Sequence, residues 1–425
     1  MPRFLHMADV HLGYDKYNTP QRTQDFYRAF NDAIEKYAIA PQVDFVLIAG
    51  DLFEYRQVLP AVLNQAQLCL DRLQEMGIPV FAIEGNHDYR PYGTKTSWLR
   101  YLADWGRLIL LEPSEGEILE PWQPETKQGG YLDLDCGVRV IGSRWYGAAA
   151  PQAIEALALQ IEALPPGPSQ TVMMFHHGLE GQVSRYSGAL RYQDFSPLLT
   201  AGVDYLALGH IHRSYTLENW IYNPGSIEAN SVVENQEQNP RGVYLVDLSD
   251  RGIEAELKSD YYQRPITRLS LQVDSRQTAQ QVAEAAIATL QIAKNAGKTQ
   301  AAIVELRIQG TLGFERSALN IKDLRAQLLE QSEALILLLK YDANGLEYQT
   351  YISELEDVPS RSEIEQKVFA DLLAAMSQYR DQSELAAQGL MDLKDRLLQE
   401  QPSAELYQIA ASLLSSLTKS APPAA

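Results

Sequence analysis

Five short runs of this sequence carry side chains that ligate metals or move protons: Asp9-Val10-His11, Gly50-Asp51, Gly85-Asn86-His87-Asp88, His176-His177 and Gly209-His210-Ile211-His212. Any one alone says little, since a lone Asp-x-His is usually a core or surface histidine. Together they say more. Residues two apart on an extended strand point to the same side, so Asp9 with His11, and His210 with His212, can each present two donor atoms together. Carboxylate, imidazole and amide oxygen without thiolate suit borderline-to-hard divalent ions such as manganese, iron or zinc. Two such ions, roughly 3.5–4 Å apart, can share a carboxylate and clamp the attacking and leaving oxygens of an in-line displacement at phosphorus. The chemistry indicated is phosphoester hydrolysis.

The runs follow or close short apolar segments that read as strands: Phe4–Ala8, Val43–Asp51, Pro79–Glu84, Thr171–Phe175 and Tyr205–Gly209. Val138–Ser143 and Gly242–Leu248 have the same character. Through about residue 260 they alternate with helical stretches such as Arg22–Tyr37 and Ala61–Gln74, a pattern of α/β layering. Polar groups at the carboxyl ends of buried strands gather on one rim of a sheet, so the chemistry is expected there. After the strand-like Ile253–Ser259, Gln263-Arg264-Pro265 marks a boundary. Beyond it a helix over Thr278–Ala293, a strand over Ala302–Ile308, a helix over Ile321–Gln331 and strands over Leu335–Tyr341 and Tyr348–Ile352 predict a small α+β domain. From Arg361 the pattern is helical, with Ile364, Val368, Phe369, Leu372, Leu373 and Met376 on one face. The expected division is a first domain over 1–262, a second over 263–355, a helical region over 356–419 and a disordered tail over 420–425.

Composition bounds the partners. At 425 residues two or three domains are expected. With 36 Lys+Arg against 55 Asp+Glu the formal charge is −19, so the chain as a whole repels polyanions and any nucleic-acid contact must be local. Cys69 and Cys136 are too few for a disulfide framework or a thiolate metal site, which favours a reducing compartment. The N-terminus turns polar too early for a signal sequence and no run of ~18 apolar residues occurs, so a soluble, cytoplasmic protein is expected.

At its five motifs, complete and in order, the chain resembles the calcineurin-like metallophosphoesterase superfamily. Asp9-Val10-His11-Leu12-Gly13-Tyr14, Tyr17-Asn18, Arg22, Asp25-Phe26-Tyr27, Ala29-Phe30, Gly50-Asp51-Leu52-Phe53, Gly209-His210-Ile211-His212-Arg213 and Asn223-Pro224-Gly225-Ser226-Ile227-Glu228 narrow the resemblance to the SbcD family, over roughly residues 1–265. That family comprises nuclease subunits of double-strand-break repair complexes. The resemblance implies an α/β fold, a two-sheet sandwich flanked by helices, followed by a small α+β capping domain and a helical C-terminal region. It also implies two divalent metals, manganese expected, one held by Asp9, His11, Asp51 and His212 and the other by Asp51, Asn86, His176 and His210. His177 is the alternative ligand at its strand end; family pattern and strand-end geometry favour His176. By the same resemblance His87 protonates the leaving oxygen and Asp88 orients His87. Where many relatives carry a histidine three residues after the bridging aspartate, this chain has Glu54. Hydrolysis is expected to survive that change, while the end or strand of DNA handled is left open.

The activity implied is 3′–5′ exonuclease action on duplex ends and endonuclease action on single strands or hairpins. The partners implied are DNA, an SbcC-like ATPase docked on the C-terminal helices, and a second copy of the chain. The bland alternative for the Ile364–Met376 face is packing on the capping domain. Candidate DNA contacts near the motifs are Tyr14, Lys16, Tyr17, Arg22, Arg56, Arg90, Arg185, Tyr186 and Arg213. A cation there can take a phosphate and an aromatic can stack on a base, although each residue alone reads as a solvated charge or a packing tyrosine. Two other classes compete: a phosphodiesterase for small molecules such as cyclic nucleotides, served by the same five motifs, and a non-catalytic scaffold, against which the complete ligand set argues.

Overall fold

The structure, a computed structural model, describes residues 1–17, 19–182, 189–236, 240–249, 252–344, 361–374, 379, 382–398 and 403–418. Asn18, Arg185, Tyr186, Met376, the strand expected over Tyr348–Ile352 and the tail from 420 lie outside the described residues.

A first sheet begins with β1 (Arg3–Met7), β2 (Phe45–Ala49), β3 (Val80–Ile83) and β4 (Ile109–Leu110), parallel neighbours in that order. A second sheet holds β5 (Tyr131–Asp133), β6 (Val138–Ile141), β7 (Gln170–His176), β8 (Tyr205–Gly209), β9 (Tyr215–Leu217) and β10 (Ile221–Asn223), in the order β5-β6-β7-β8-β10-β9. The chain then returns to the first sheet with the antiparallel hairpin β11 (Val243–Ser249) and β12 (Gly252–Lys258), β11 lying against β1. Parallel pairing requires long crossovers, and here they are helical. These are α1 (Pro20–Ile34, continued by a π-helical turn over Glu35–Ile39), α2 (Pro60–Glu75), α3 (Trp98–Asp104), α4 (Ala150–Glu162) and α5 (Tyr192–Thr200), with a short α6 (Val232–Gln236) before β11.

The period-two alternation of the strands explains the layers. On β2, Phe45 and Leu47 point toward the second sheet and pack with Phe4, Phe81, Val140, Val172, Met174 and Tyr205 in the sandwich interior. Their neighbours Val46 and Ile48 face the other way and pack with Phe26, Phe30, Ala66, Cys69 and Leu73 of α1 and α2. A third cluster joins Ile154, Leu157, Phe195 and Leu198 of α4 and α5 to Met173, Phe175, Leu206 and Leu208. Each fully buried side chain of this kind contributes about 1.5–3 kcal/mol, so both faces of both sheets are held. α2 shows why such helices form: Pro60 sits in the first turn, where its missing N–H costs nothing, and Val62, Ala66, Cys69, Leu70 and Leu73 recur on one buried stripe. The two-sheet sandwich flanked by helices is the architecture expected. The three-residue strands β5, β9 and β10 were not legible in the sequence, because a periodicity of two needs four or more residues to show.

A third sheet, in the order β13-β14-β15, combines β13 (Ile266–Val273), β14 (Ile303–Thr311) and β15 (Ile336–Asn344), with α7 (Ala279–Asn295) and α8 (Ile321–Ser332) between them. The helices α9 (Arg361–Ala374), α10 (Ser383–Leu398) and α11 (Ser403–Thr418) follow. The chain forms two compact units, one of residues 1–271, 286–307 and 322–340, the other of 272–285, 308–321 and 341–425. Within the second unit α9 packs on α10 and α10 on α11, where Gly389 lies so near Leu413 that a Cβ would stand 2.4 Å from its Cδ1. On the expected apolar face of α9, Val368, Phe369 and Leu373 are half-buried and Leu372 is exposed. Among the described residues no helix is long and apolar enough to cross a membrane.

Candidate metal centre

Five strands end at the site. Asp9 follows β1, Asp51 follows β2, Asn86 follows β3, His176 closes β7 and His210 follows β8, so both sheets deliver donors from their carboxyl edges. The turns that carry them are tight. Asp9 (φ 52°), His11 (φ 49°), Asp51 (φ 55°) and His210 (φ 89°) all adopt left-handed backbone. Asp and His tolerate that region better than most side chains, at a cost of order 1–3 kcal/mol each that the surrounding packing must offset. Extended geometry was expected to pair Asp9 with His11; both instead lie beyond β1, where Asp9 N donates to Gly50 O at 3.0 Å and His11 N to Asp51 O at 3.0 Å. The side chains still converge, because the two strand ends are knitted to each other.

Two glycines make room for the donors. A Cβ on Gly50 would stand 2.3 Å from His176 Nδ1, and one on Gly85 would stand 2.1 Å from Asp51 Oδ1.

Among the described residues three groups of donors result, the ligand atoms of each lying within 4.8 Å of one another: Asp9, His11 and His212 in the first, Asp51, His176 and His210 in the second, and a third, sharing His11, of His11, Glu54 and His87. In the first, His11 Nε2 and His212 Nε2 are 3.1 Å apart and each is 3.8 Å from Asp9 Oδ1. In the second, His176 Nε2 lies 3.2 Å from Asp51 Oδ2, and Asn86 Oδ1 lies 3.2 Å from His176 Nε2 and 2.9 Å from His210 Nδ1. His177 is turned away. Its ring stacks on Trp145 and its nitrogens lie 3.2 Å from the carbonyls of Gly178 and Gly147. Trp145 also packs on His176 and His210, walling the second group.

Burial opposes charge on both Asp51 and His176, yet their mutual attraction prevails, holding Asp51 below the ordinary carboxylate range and raising His176 to about 9. Burial and the neighbouring His176 push His210 down to about 3. A carboxylate-rich, imidazole-rich cluster of this kind, with two sets of convergent donors, fits divalent cations of the manganese, iron or zinc type.

His87 lies beside the groups. Its backbone N–H donates to Asp51 Oδ1 at 2.8 Å, and its Nδ1 lies 2.7 Å from the backbone carbonyl of Glu54. Asp88, expected to orient His87, has its carboxylate engaged with the backbone and acts on that residue only through the loops it holds. The Asp88 carboxylate accepts from the backbone N–H groups of Leu52 at 3.2 Å, Phe53 at 3.1 Å and Gly85 at 3.2 Å, pinning the second and third motifs together. Burial, reinforced by the charge of Asp51, raises the Asp88 carboxyl above its ordinary value.

Two of the expected DNA contacts are corrected by burial. Arg22 is fully buried, its Nη1 donating to Asp25 Oδ2 at 2.9 Å and its Nη2 to Ala229 O at 2.5 Å. Tyr14 is buried too, its hydroxyl donating to Asn230 O at 2.6 Å. Both sit where the chain after the fifth motif folds back, and that enclosure removes them from any polyanion. Tyr17 is half-buried against Val232, Ile303 and Ile336. Lys16 and Arg90 are exposed, and Arg56 and Arg90 flank the Tyr89 ring at 5.3 and 5.7 Å. Arg213 is half-buried and its Nη1 donates to Gln182 O at 3.4 Å.

Three residues that sequence reasoning passed over or treated only as a departure belong to the site: Trp145, Glu54 and Glu234. Glu54 Oε2 lies 2.8 Å from His11 Nδ1 and Glu234 Oε1 lies 3.1 Å from His212 Nδ1. Burial works to raise the Glu234 carboxyl, but His212 and Arg241 hold it down at about 2. The Asn223-to-Glu228 run also finds its reason. Asn223 Nδ2 donates to Ile211 O at 2.7 Å and Arg213 O at 2.8 Å, while Ile227 N donates to Asp9 O at 3.3 Å, so this loop braces both Asp9 and His212.

Similar proteins carry the same region. A stretch of 235 residues, 53% of this chain, is 32% identical to half of the "DNA double-strand break repair protein Mre11" of Archaeoglobus fulgidus. A stretch of 258 residues, 59% of this chain, is 28% identical to 61% of the protein of the same name from Saccharolobus solfataricus. A shorter stretch of 116 residues is 46% identical to 28% of that from Halobacterium salinarum. The chain thus spans about half to three-fifths of the length of the first two relatives. Residues 2–214, which carry all five motifs and every donor of the two groups, match the calcineurin-like phosphoesterase family, and the chain belongs to that family.

Proposed function

We propose that the chain is a metal-dependent DNA nuclease, cleaving phosphodiesters at a centre of two divalent ions, manganese the expected activator. The observation that carries this reading is the pair of donor groups, Asp9–His11–His212 and Asp51–His176–His210, with Asn86 and His87 beside them. Asp9, His11, His212, Asp51, His176, His210 and Asn86 would hold the ions, Asp51 being the carboxylate proposed to serve both, and the ions when bound would supply Lewis acidity at the phosphodiester. The rest falls to the chain's own residues. With Nδ1 held by the Glu54 carbonyl, His87 is left with Nε2 for the leaving 3′-oxygen, to which the protonated ring donates its proton. Asp88, by pinning the motif loops, fixes where His87 stands. Lys16, Arg56 and Arg90 on the rim take backbone phosphates, a local answer to a chain whose net charge is −19.

The relatives named as double-strand-break repair proteins support DNA as the substrate and a role in repair. By the same token residues 263–355 are the proposed capping domain, and the helices beyond 356 the proposed docking region for an SbcC-like ATPase, in an assembly with a second copy of the chain. The test is hydrolysis of end-labelled duplex DNA by the purified chain with manganese, beside cyclic nucleotides and Asp51→Ala and His87→Gln proteins. Manganese-dependent cleavage lost in both variants is expected; turnover of cyclic nucleotides with DNA untouched would overturn the reading.

A further inference from the structure

The imidazoles of the centre are not backed alike. His11 Nδ1 stands 2.8 Å from the Glu54 carboxylate and His212 Nδ1 stands 3.1 Å from that of Glu234. Their Nε2 atoms therefore face the same space, 3.1 Å apart and each 3.8 Å from Asp9 Oδ1. In the other group His176 Nδ1 meets a neutral backbone carbonyl, Ala49 O, at 2.8 Å.

Both carboxylates are built into the fold. The Glu54 side chain is 13% exposed, and its Oε2 faces His11 Nδ1 at 2.8 Å as a charge contact; among the described residues neither atom makes a hydrogen bond. Glu234 spends Oε2 on Asn230 N at 2.8 Å and Arg241 Nη1 at 3.3 Å, which leaves Oε1 aimed at His212. A carboxylate hydrogen-bonded behind an imidazole, as Glu234 is behind His212, fixes the Nδ1–H tautomer and makes Nε2 a stronger donor to a cation; one in charge contact, as Glu54 is with His11, adds the negative charge; a carbonyl fixes the tautomer while adding no charge. The first group also gathers three carboxylates near its donors, Asp9, Glu54 and Glu234.

We infer that Glu54 and Glu234 are positioning residues that make the Asp9–His11–His212 position the tighter of the two metal sites, filled before the Asp51–His176–His210 position. The inference rests on the proposed reading of the centre as a two-metal site. It gives Glu54 a role of its own, as the carboxylate that holds His11.

The experiment is a calorimetric titration of manganese into the metal-free chain, run on the wild type and on Glu54→Gln, Glu234→Gln and Asp9→Asn proteins, each checked by thermal melting before metal is added. Two binding steps are expected in the wild type. Each glutamine variant weakens the tighter step by ~10–100-fold and leaves the weaker one within about twofold, and Asp9→Asn removes the tighter step. Glu234→Gln is the cleaner variant, because Glu54 Oε2 also lies 3.8 Å from His87 Nδ1; if it fails to fold, Glu54→Gln carries the test alone. A tighter step unchanged in the folded glutamine variants, or Asp9→Asn removing the weaker step instead, overturns the inference. A wild-type chain that binds no manganese is a different failure, that of the metal-centre reading itself.

Discussion

His11 and His212 stand 201 residues apart in the chain and 3.1 Å apart at their Nε2 atoms. His212 Nδ1 is hydrogen-bonded to Glu234 and His11 Nδ1 lies 2.8 Å from Glu54, so both Nε2 atoms are directed into one space, the arrangement in which two imidazoles can hold a cation together. The site is therefore assembled by the sandwich as a whole: one ligand loop leaves the first sheet, the other leaves the second. Several measurable consequences follow from the surrounding contacts.

Asp51 and His87 are expected to fail in different ways. Asp51→Ala removes a donor of the second group, so both manganese stoichiometry and cleavage should fall. His87→Gln should bind manganese as the wild type does while turnover drops ~10²–10⁴-fold, the usual worth of a positioned general acid. Metal titration beside single-turnover cleavage separates the two.

Gly85→Ala tests the crowding around Asp51. The added methyl would meet Asp51 Oδ1 at 2.1 Å and its backbone N at 2.7 Å, neither of which can yield without moving the carboxylate. A loss of about 1–3 kcal/mol in stability and a larger loss of manganese-dependent cleavage are expected. Denaturant melts and metal titration would show both.

Arg22 and Arg56 are expected to separate stability from DNA affinity. Arg22 is buried between Asp25 and Glu228, where Arg264 also reaches Asp25 with its guanidinium and Glu228 with its backbone N–H, so Arg22→Ala removes one of the two guanidinium groups that offset these buried carboxylates and should cost roughly 3 kcal/mol, the low end for a broken buried pair. Arg56→Ala should leave the melting temperature alone and reduce the slope of log affinity against log salt by about 1. An Arg22 variant of normal stability with weakened DNA binding would return that residue to the rim.

His6, the histidine outside the five motifs, gives a pH signature independent of the metal centre. Its ring is enclosed between Tyr205 Oη at 2.9 Å and Leu208 O at 3.0 Å, and burial pushes its pKa from the ordinary 6.5 down to about 3. The unfolded chain takes up this proton below pH 6.5 while the folded chain refuses it until about pH 3. Its contribution is thus complete above pH 6.5 and is lost as pH falls toward 3, by up to roughly 1.4 kcal/mol per pH unit. Comparing denaturant stabilities of the wild type and His6→Gln from pH 7 to pH 4 isolates this slope, which the variant should lack.

How much of this was legible beforehand follows from the range over which each feature is set. Asp9, Asp51, Asn86, His176 and His210 could be read from the sequence as candidate donors because each directly follows or closes a short apolar run, and an apolar run that ends in a ligand-type residue is a local signal. The alternation of Phe45, Val46, Leu47 and Ile48 likewise announced a strand buried on both faces. The tertiary structure alone decided what stands behind the donors. Glu234 lies 22 residues from His212, on a short helix with no motif of its own, and Arg264 reaches Asp25 across 239 residues. Arg22 and Tyr14 looked like rim residues because they follow the first motif, and only the return of the segment at 228–230 encloses them. Asp88 stood beside His87 in sequence yet turned to the backbone of Leu52 and Phe53, since three buried N–H groups must be satisfied there and no local rule says which acid will do it. The candidate donors are written in residue type and strand position; partner, burial and orientation are set by the packing of distant segments, which no local pattern records.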